Sequence, residues 1–299
     1  MTGNTKGIYL PSGVGVGELM LRHGISPKKY YGQNFLTDKR VISAIVLASG
    51  ITPNDNVIEI GPGLGALTLA LPAKQILAVE IDAELVAALR DVCRDRPHVE
   101  ILQADIMKTN IQLLMAYRGW QTAKICANLP YYISTHIIVE LLENAPTVAS
   151  ITVMLQREVA ERLVATPQKG DYGAISLLVK FYGEARIDMF VPRGCFVPAP
   201  KVDSAVVTIK RQDNPNRDCP IVTDKELLFE VIKAAFGHRR KILLNCLRSA
   251  SIIQNREKCL EIFDRLGFDE NARGENLSLD QFVALTEAIL HERRSVELL

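Results

Sequence analysis

A short apolar run that breaks into glycine at every second position constrains this chain more than any other feature. Asn56-Val57-Ile58-Glu59-Ile60 leads into Gly61-Pro62-Gly63-Leu64-Gly65, and the chain resumes as Ala66-Leu67-Thr68-Leu69-Ala70-Leu71. The pattern predicts a buried strand, a tight turn and a helix. Glycine is needed where the backbone turns sharply and a ligand must come close. About 20 residues on, Ile76-Leu77-Ala78-Val79-Glu80-Ile81-Asp82 is a second buried-strand run ending in acid, placed to grip a ribose diol. Asp105, in Ile101-Leu102-Gln103-Ala104-Asp105-Ile106, is an acid at a third strand end, and Glu59 lies two residues before the first glycine, within reach of the turn. A glycine turn alone is a weak signal. Three acids around one suit a ligand with a ribose, an adenine amine and an ammonium group. S-adenosylmethionine has all three and no pyrophosphate. A dinucleotide needs a helix N-terminus for its phosphates, and the spacing is Gly-x-Gly-x-Gly rather than Gly-x-Gly-x-x-Gly.

Strand candidates at 56–60, 76–81, 99–103, 123–127 and 150–155 alternate with helical stretches, the helix at about 38–49 preceding them. That alternation predicts an α/β fold with a doubly wound, mostly parallel sheet and ligands at the strand carboxyl ends. Ala205 to Lys210 reads as an antiparallel strand at the sheet edge. Gln212 to Thr223 reads as a linker. Helices follow at about 224–236, 239–249, 256–266 and 279–293. The expected domains are 1–212, carrying ligand and chemistry, and a small all-helical domain at 213–299. Residues 1–17, rich in glycine and small residues, are expected to be mobile.

The net charge of +1 gives no global reason to bind nucleic acid, so that reading must rest on local patches. The candidates are Lys28 and Lys29 in an aromatic and basic entry loop, Arg157, and the stripe Arg239, Arg240, Lys241 and Arg248. The entry loop reads as a lid with a basic rim for phosphates or as a solvated loop; for Arg157 the competing reading is pairing with neighbouring glutamates. Six cysteines without a Cys-x-x-Cys pair suggest neither a disulfide framework nor a zinc site, and fit reduced thiols in the cytoplasm. No apolar run approaches the ~20 residues that span a bilayer, and the N-terminus lacks the features of a signal peptide.

The fourth strand candidate runs into Asn128-Leu129-Pro130-Tyr131, the most specific stretch of the chain. Tetrapeptides of this Asn/Asp-Pro-Pro-Tyr type occur in methyltransferases that act on exocyclic amines of bases. The adenine N6 lone pair is delocalised into the ring, so the amine is a poor nucleophile. The Asn128 side-chain oxygen and the Leu129 carbonyl can accept its two N–H groups and stabilise the charge that develops on it. Pro130 stiffens the turn, and Tyr131 offers a face on which an unpaired base stacks. Phe196, on the proline-stiffened loop from Val191 to Ser204, reads either as a second aromatic wall or as a core plug.

Six blocks carry a family resemblance: Tyr31-Gly32-Gln33-Asn34-Phe35-Leu36, Glu59 to Gly65, Val79-Glu80-Ile81-Asp82, Asn128 to Tyr132, Phe196 to Ser204, and Phe236-Gly237-His238-Arg239-Arg240-Lys241. In this order they resemble the small-subunit ribosomal RNA adenine N6,N6-dimethyltransferases of the bacterial KsgA type, over about 20–290. The resemblance implies an S-adenosylmethionine-dependent, Rossmann-like catalytic domain and a C-terminal helical domain that recognises RNA. It implies cofactor contacts from Asn34, Leu36, Gly61, Glu80, Asp105 and Asn128, with Glu59, Gly63, Ile81 and Ile106 completing the expected pocket. It implies a catalytic set of Asn128, Leu129, Pro130, Tyr131 and Phe196, without a metal. The implied activity is dimethylation of two adjacent adenines in a hairpin near the 3′ end of 16S RNA. The implied partner is an immature small ribosomal subunit, met by a monomeric cytoplasmic enzyme. Position 31 departs from the pattern, which has a smaller or aliphatic residue there. Other readings are a large-subunit RNA adenine methyltransferase, a non-catalytic assembly or nucleic-acid-binding factor, and a nicotinamide oxidoreductase.

Overall fold

The computed structural model describes residues 15–211, 222–238 and 241–297. Two compact units emerge: 1–160 with 185–211, and 161–184 with 212–299. A single boundary at 212 was expected; the chain also changes units near 160 and 184, so the second unit is discontinuous in sequence. The stretch expected to be mobile at the N-terminus lies largely outside the described residues, as does most of the expected linker.

The first unit opens with α1 (Val16–Arg22), the short β1 (Phe35–Leu36) and α2 (Lys39–Ser49). Asp38 caps α2 by accepting from Arg40 N, and Gly50 closes it with φ of 56°. Strand and helix then alternate: β2 (Asn56–Ile60), β3 (Gln75–Glu80), α3 (Ala83–Val92), β4 (Val99–Gln103), α4 (Ile111–Tyr117), β5 (Ala123–Asn128), α5 (Ser134–Asn144) and β6 (Val148–Gln156). The chain passes into the second unit along α6 (Arg157–Leu163), forms α7 (Ala174–Tyr182) there, and returns to the first with β7 (Gly183–Val191), β8 (Phe196–Val197) and β9 (Ser204–Arg211).

Seven strands form one sheet in the order β4-β3-β2-β5-β6-β9-β7, while β1 and β8 form a separate antiparallel pair. β2 is parallel to both β3 and β5, and β5 to β6; β9 is antiparallel to β6. β9 therefore does not lie at the edge, as expected; β7 does. The exposed alternate residues of β7 blurred its pattern, since an edge strand need not be continuously apolar. The strand order reverses between β2 and β5, where ligands collect in such sheets. One sheet face, through Val57, Ala78, Cys126, Met154 and Val206, shares a core with Ile42 and Ile45 of α2 and Leu85 and Leu89 of α3.

Ala66 to Leu71 does not continue as the expected helix but as a succession of turns, with Leu69 N bonded to Gly65 O (3.0 Å) and Leu71 N to Leu67 O (3.1 Å). Gly61, Gly63 and Gly65 have φ of 65°, 57° and 81°, backbone that side chains adopt at a cost. A Cβ at Gly65 would lie 2.7 Å from Leu89 Cδ1, so α3 packs directly against the turn.

The second unit contains α7 with α8 (Lys225–Gly237), α9 (Leu243–Ser249), α10 (Arg256–Leu266) and α11 (Leu279–Glu297). α7 belongs here through its contacts: the Phe181 ring meets that of Phe229 on α8 at 5.3 Å, and Tyr172, just before the helix, donates its hydroxyl to Leu277 O at 2.9 Å. Among the described residues, no helix is long and apolar enough to cross a membrane.

Candidate functional site

A cleft open to solvent lies over the carboxyl ends of β2, β3 and β5. Asn34, Leu36, Glu59, Gly61, Gly63, Glu80, Ile81, Asp105, Ile106, Asn128, Leu129, Pro130 and Tyr131 all line it. Every expected residue of the cofactor set is thus brought together with four of the five of the catalytic set.

Glu80 ends β3 and is 5% exposed. Its carboxylate accepts from Gly63 N (3.2 Å), Ile81 N (3.0 Å) and Asp82 N (3.0 Å), which ties the glycine turn to the next strand. Burial raises its pKa, and those backbone donors pull it back. Asp105 follows β4 and also lines the cleft, capping the turn beyond it by accepting from Met107 N at 3.0 Å.

Glu59 lies on β2 and is 1% exposed, with Oε2 lacking a hydrogen-bond partner. Burial pushes its carboxyl up to about 8, with Thr68 opposing and the Glu80 charge adding.

Asn128 ends β5. Its Nδ2 donates to Asn34 O at 3.2 Å, while its Oδ1 is buried and has no partner. A buried amide oxygen without a donor costs stability; here it belongs to a cleft-lining side chain. Leu129 N donates to Met154 O at 3.0 Å, which holds the turn to β6. Tyr131 lines the cleft, and its hydroxyl lies 2.5 Å from Ser204 Oγ.

The entry loop is latched to the cleft. Gln33 Nε2 donates to Asp82 Oδ2 (2.8 Å), Lys28 N to Gln33 Oε1 (2.8 Å), and Lys28 Nζ to Asp82 Oδ1 (2.9 Å). Lys28 also pairs with Glu84 at 3.0 Å. The expected role of Lys28 in meeting phosphate is corrected accordingly: its ammonium is committed to two carboxylates, which raise its pKa. Gln33 and Asp82 were missed as latch residues, although both fall inside blocks that the sequence singles out.

Phe196 is corrected in the same way. It is 2% exposed, pairs with Leu36 across the β1–β8 ladder and belongs to the hydrophobic core. Its apolar neighbours are near the site, but its ring does not line the cleft. Arg157 is exposed and stacks its guanidinium over Phe190, 4.7 Å from the ring centroid. In the second unit Lys241 and Arg248 are exposed, and Arg248 Nε donates to Gln254 O at 3.3 Å. Arg239, Arg240 and the Lys29 side chain lie outside the described residues.

A family model described as ribosomal RNA adenine dimethylase matches residues 25–290. The chain belongs to the ribosomal RNA adenine dimethylase family. Among its relatives, ribosomal RNA small subunit methyltransferase A of Pelotomaculum thermopropionicum is 41% identical over 292 residues, covering 95% of this chain and 98% of that protein. Among solved structures, a dimethyladenosine transferase from Plasmodium falciparum has a similar fold, with a TM-score of 0.72 and 24% identity, covering 87% of this chain and 98% of that one. The 23S rRNA methyltransferase ErmE is 26% identical with a TM-score of 0.63, covering 86% of this chain and 99% of that one. This adenine dimethylase is therefore similar in fold to an enzyme named for 23S rRNA, but is more similar in sequence to the small-subunit relative.

The cleft fits S-adenosylmethionine, the cofactor of the ribosomal RNA adenine dimethylases. Glu80 presents a fixed carboxylate for a diol, Asp105 an acceptor for an amine, and Glu59 an unpartnered buried oxygen. The glycine turn leaves backbone bare where a nucleoside must lie close.

Proposed function

We propose that this chain dimethylates adenine N6 amines in small-subunit ribosomal RNA, taking methyl from S-adenosylmethionine. The observation that carries this reading is the unpartnered buried Asn128 Oδ1 in the same cleft as Glu80 and the glycine turn. The bound cofactor supplies a methyl group made electrophilic by a sulfonium. Everything else falls to the protein. Glu80 holds the ribose hydroxyls, Asp105 the adenine amine, and Gly61 and Gly63 leave room for close contact, with Ile81 and Ile106 as apolar walls. Asn34 and Leu36 close the cleft from the latched entry loop.

Asn128 Oδ1 and the Leu129 carbonyl accept the two N–H groups of the target amine. Both acceptors are fixed by the strand end and by Pro130, so they stabilise positive charge on nitrogen without reorganising. Stacking on Tyr131 contributes about 1–3 kcal/mol to holding the base. The methylated nitrogen is acidic enough to lose its proton to water, so no strong base is required. The finer reading is that the targets are two adjacent adenines in a hairpin near the 3′ end of 16S-type RNA. The enzyme acts as a cytoplasmic monomer on an immature small subunit, with Arg239, Arg240, Lys241 and Arg248 on phosphates.

The test is transfer of labelled methyl to immature 30S and, in parallel, to 50S particles, with nucleoside analysis. Dimethyladenosine in the 30S reaction alone is the expected result. The likeness to ErmE makes large-subunit RNA the second reading, and labelling of 50S alone would establish it. Cofactor binding without transfer to either would replace catalysis by a binding role.

A further inference from the structure

Ser204 has no part in the mechanism above, yet it is 0% exposed and ends the proline-stiffened block that the sequence singles out. Its hydroxyl lies 2.5 Å from Tyr131 Oη, across 73 residues of sequence. Ser204 opens β9 in register with Gln156 of β6. The residue before it is held twice: Asp203 O accepts from Arg157 N at 3.0 Å, and Asp203 Oδ1 accepts from Arg193 N at 3.0 Å. The Tyr131 backbone is fixed separately, its carbonyl accepting from Ser134 Oγ at 3.3 Å. The tyrosine is therefore anchored at both ends, by its own turn and by a sheet strand. The residue held between these two anchors lines the cleft.

We propose that Ser204 is a positioning residue for methyl transfer: it holds the Tyr131 hydroxyl at the start of β9, so that the ring presents one fixed face to the incoming base. The inference rests on the reading of the cleft as an adenine N6-methylation site. With the anchor in place, the ring cannot swing about its Cα–Cβ bond or tilt into the space the base must occupy. A stacked base then arrives with its amine already aimed at Asn128 Oδ1 and the Leu129 carbonyl. Without it, the base stacks less well and spends less time in the reactive geometry, and small misplacements are costly to rate. A positioning loss of this kind appears in kcat and leaves cofactor affinity untouched.

The experiment compares Ser204→Ala, Tyr131→Phe and the double variant with the wild-type protein, reading methyl transfer to immature small subunits per folded enzyme. Thermal melting and cofactor titration are run alongside. A second readout is the fluorescence of 2-aminopurine placed in an RNA fragment at the methylated adenine, because stacking quenches it. Loss of one buried hydrogen bond is expected to lower kcat about 3- to 10-fold in each single variant. The double variant should fall no further, cofactor Kd should stay within about twofold, and both singles should quench 2-aminopurine less than wild type. Unchanged kcat in Ser204→Ala would overturn the proposal, as would effects that multiply in the double variant. A fall explained wholly by a lower folded fraction would do the same. Wild-type protein that transfers no methyl to small subunits overturns the parent reading as well, whereas full wild-type activity with a silent Ser204→Ala overturns this inference alone.

Discussion

Asn128→Ala separates catalysis from stability because of how that side chain is held. The substitution removes one hydrogen bond, Nδ2 to Asn34 O at 3.2 Å, a loss of about 0.5–1.5 kcal/mol. It also removes a buried oxygen that has no partner, which relieves a penalty of roughly 1–3 kcal/mol. The two nearly cancel, so the melting temperature should move by no more than a few degrees. Methyl transfer has no such compensation. An acceptor aimed at charge that develops only in the transition state is worth about 10²–10³ in rate, or roughly 2.7–4 kcal/mol. Single-turnover transfer of labelled methyl to immature small subunits, at saturating cofactor and alongside a melting curve, measures both. A rate loss below about tenfold, or one that tracks a falling melting temperature, would refute the role given to Asn128.

Glu80→Gln should weaken cofactor binding about 10- to 100-fold by calorimetry, with a modest fall in stability, because its carboxylate also gathers three backbone N–H groups. Glu59 gives a pH signature. Its carboxyl is raised in the folded protein from 4.5 to about 8, so its stabilising effect is complete below 4.5 and is lost as pH climbs to 8. On the order of 4 kcal/mol disappears across that window. Denaturant unfolding at its two ends should show Glu59→Gln flattening the dependence, and an unchanged slope would argue against a neutral Glu59. Phe196→Ala should cost about 3–5 kcal/mol of unfolding free energy while leaving the KM for RNA unchanged in the folded protein; a raised KM at constant stability would return that ring to the base pocket.

Local pattern carried most of the fold. The apolar runs at 56–60 and 99–103 are strands at those residues, and the helix read at 256–266 spans Arg256–Leu266. Glycine at every second position did mark backbone at positive φ. Acids at strand ends could be placed in the cleft before any coordinates, because parallel strands all deliver their carboxyl ends to one side. These features depend on residues close in sequence, where sterics and periodicity decide the outcome.

The exceptions depend on distant neighbours. Ala66 to Leu71 has helical composition, yet the glycine turn and its packing against Leu89 break it into turns. Phe181 of α7 meets Phe229, nearly fifty residues further along, and so places the helix in the second unit. A lysine that looks poised for phosphate is neutralised by Asp82 and Glu84, which only the folded loop brings near. Phe196 reads equally as wall or core until the β1–β8 pairing turns its ring inward. The anchoring of Tyr131 by Ser204 leaves no local trace, since neither residue alters the periodicity around it. The sequence by itself determined which residue types stand at the ends of which strands. Tertiary structure decided which of them meet, because strand register and side-chain packing are properties of the whole chain closing on its core.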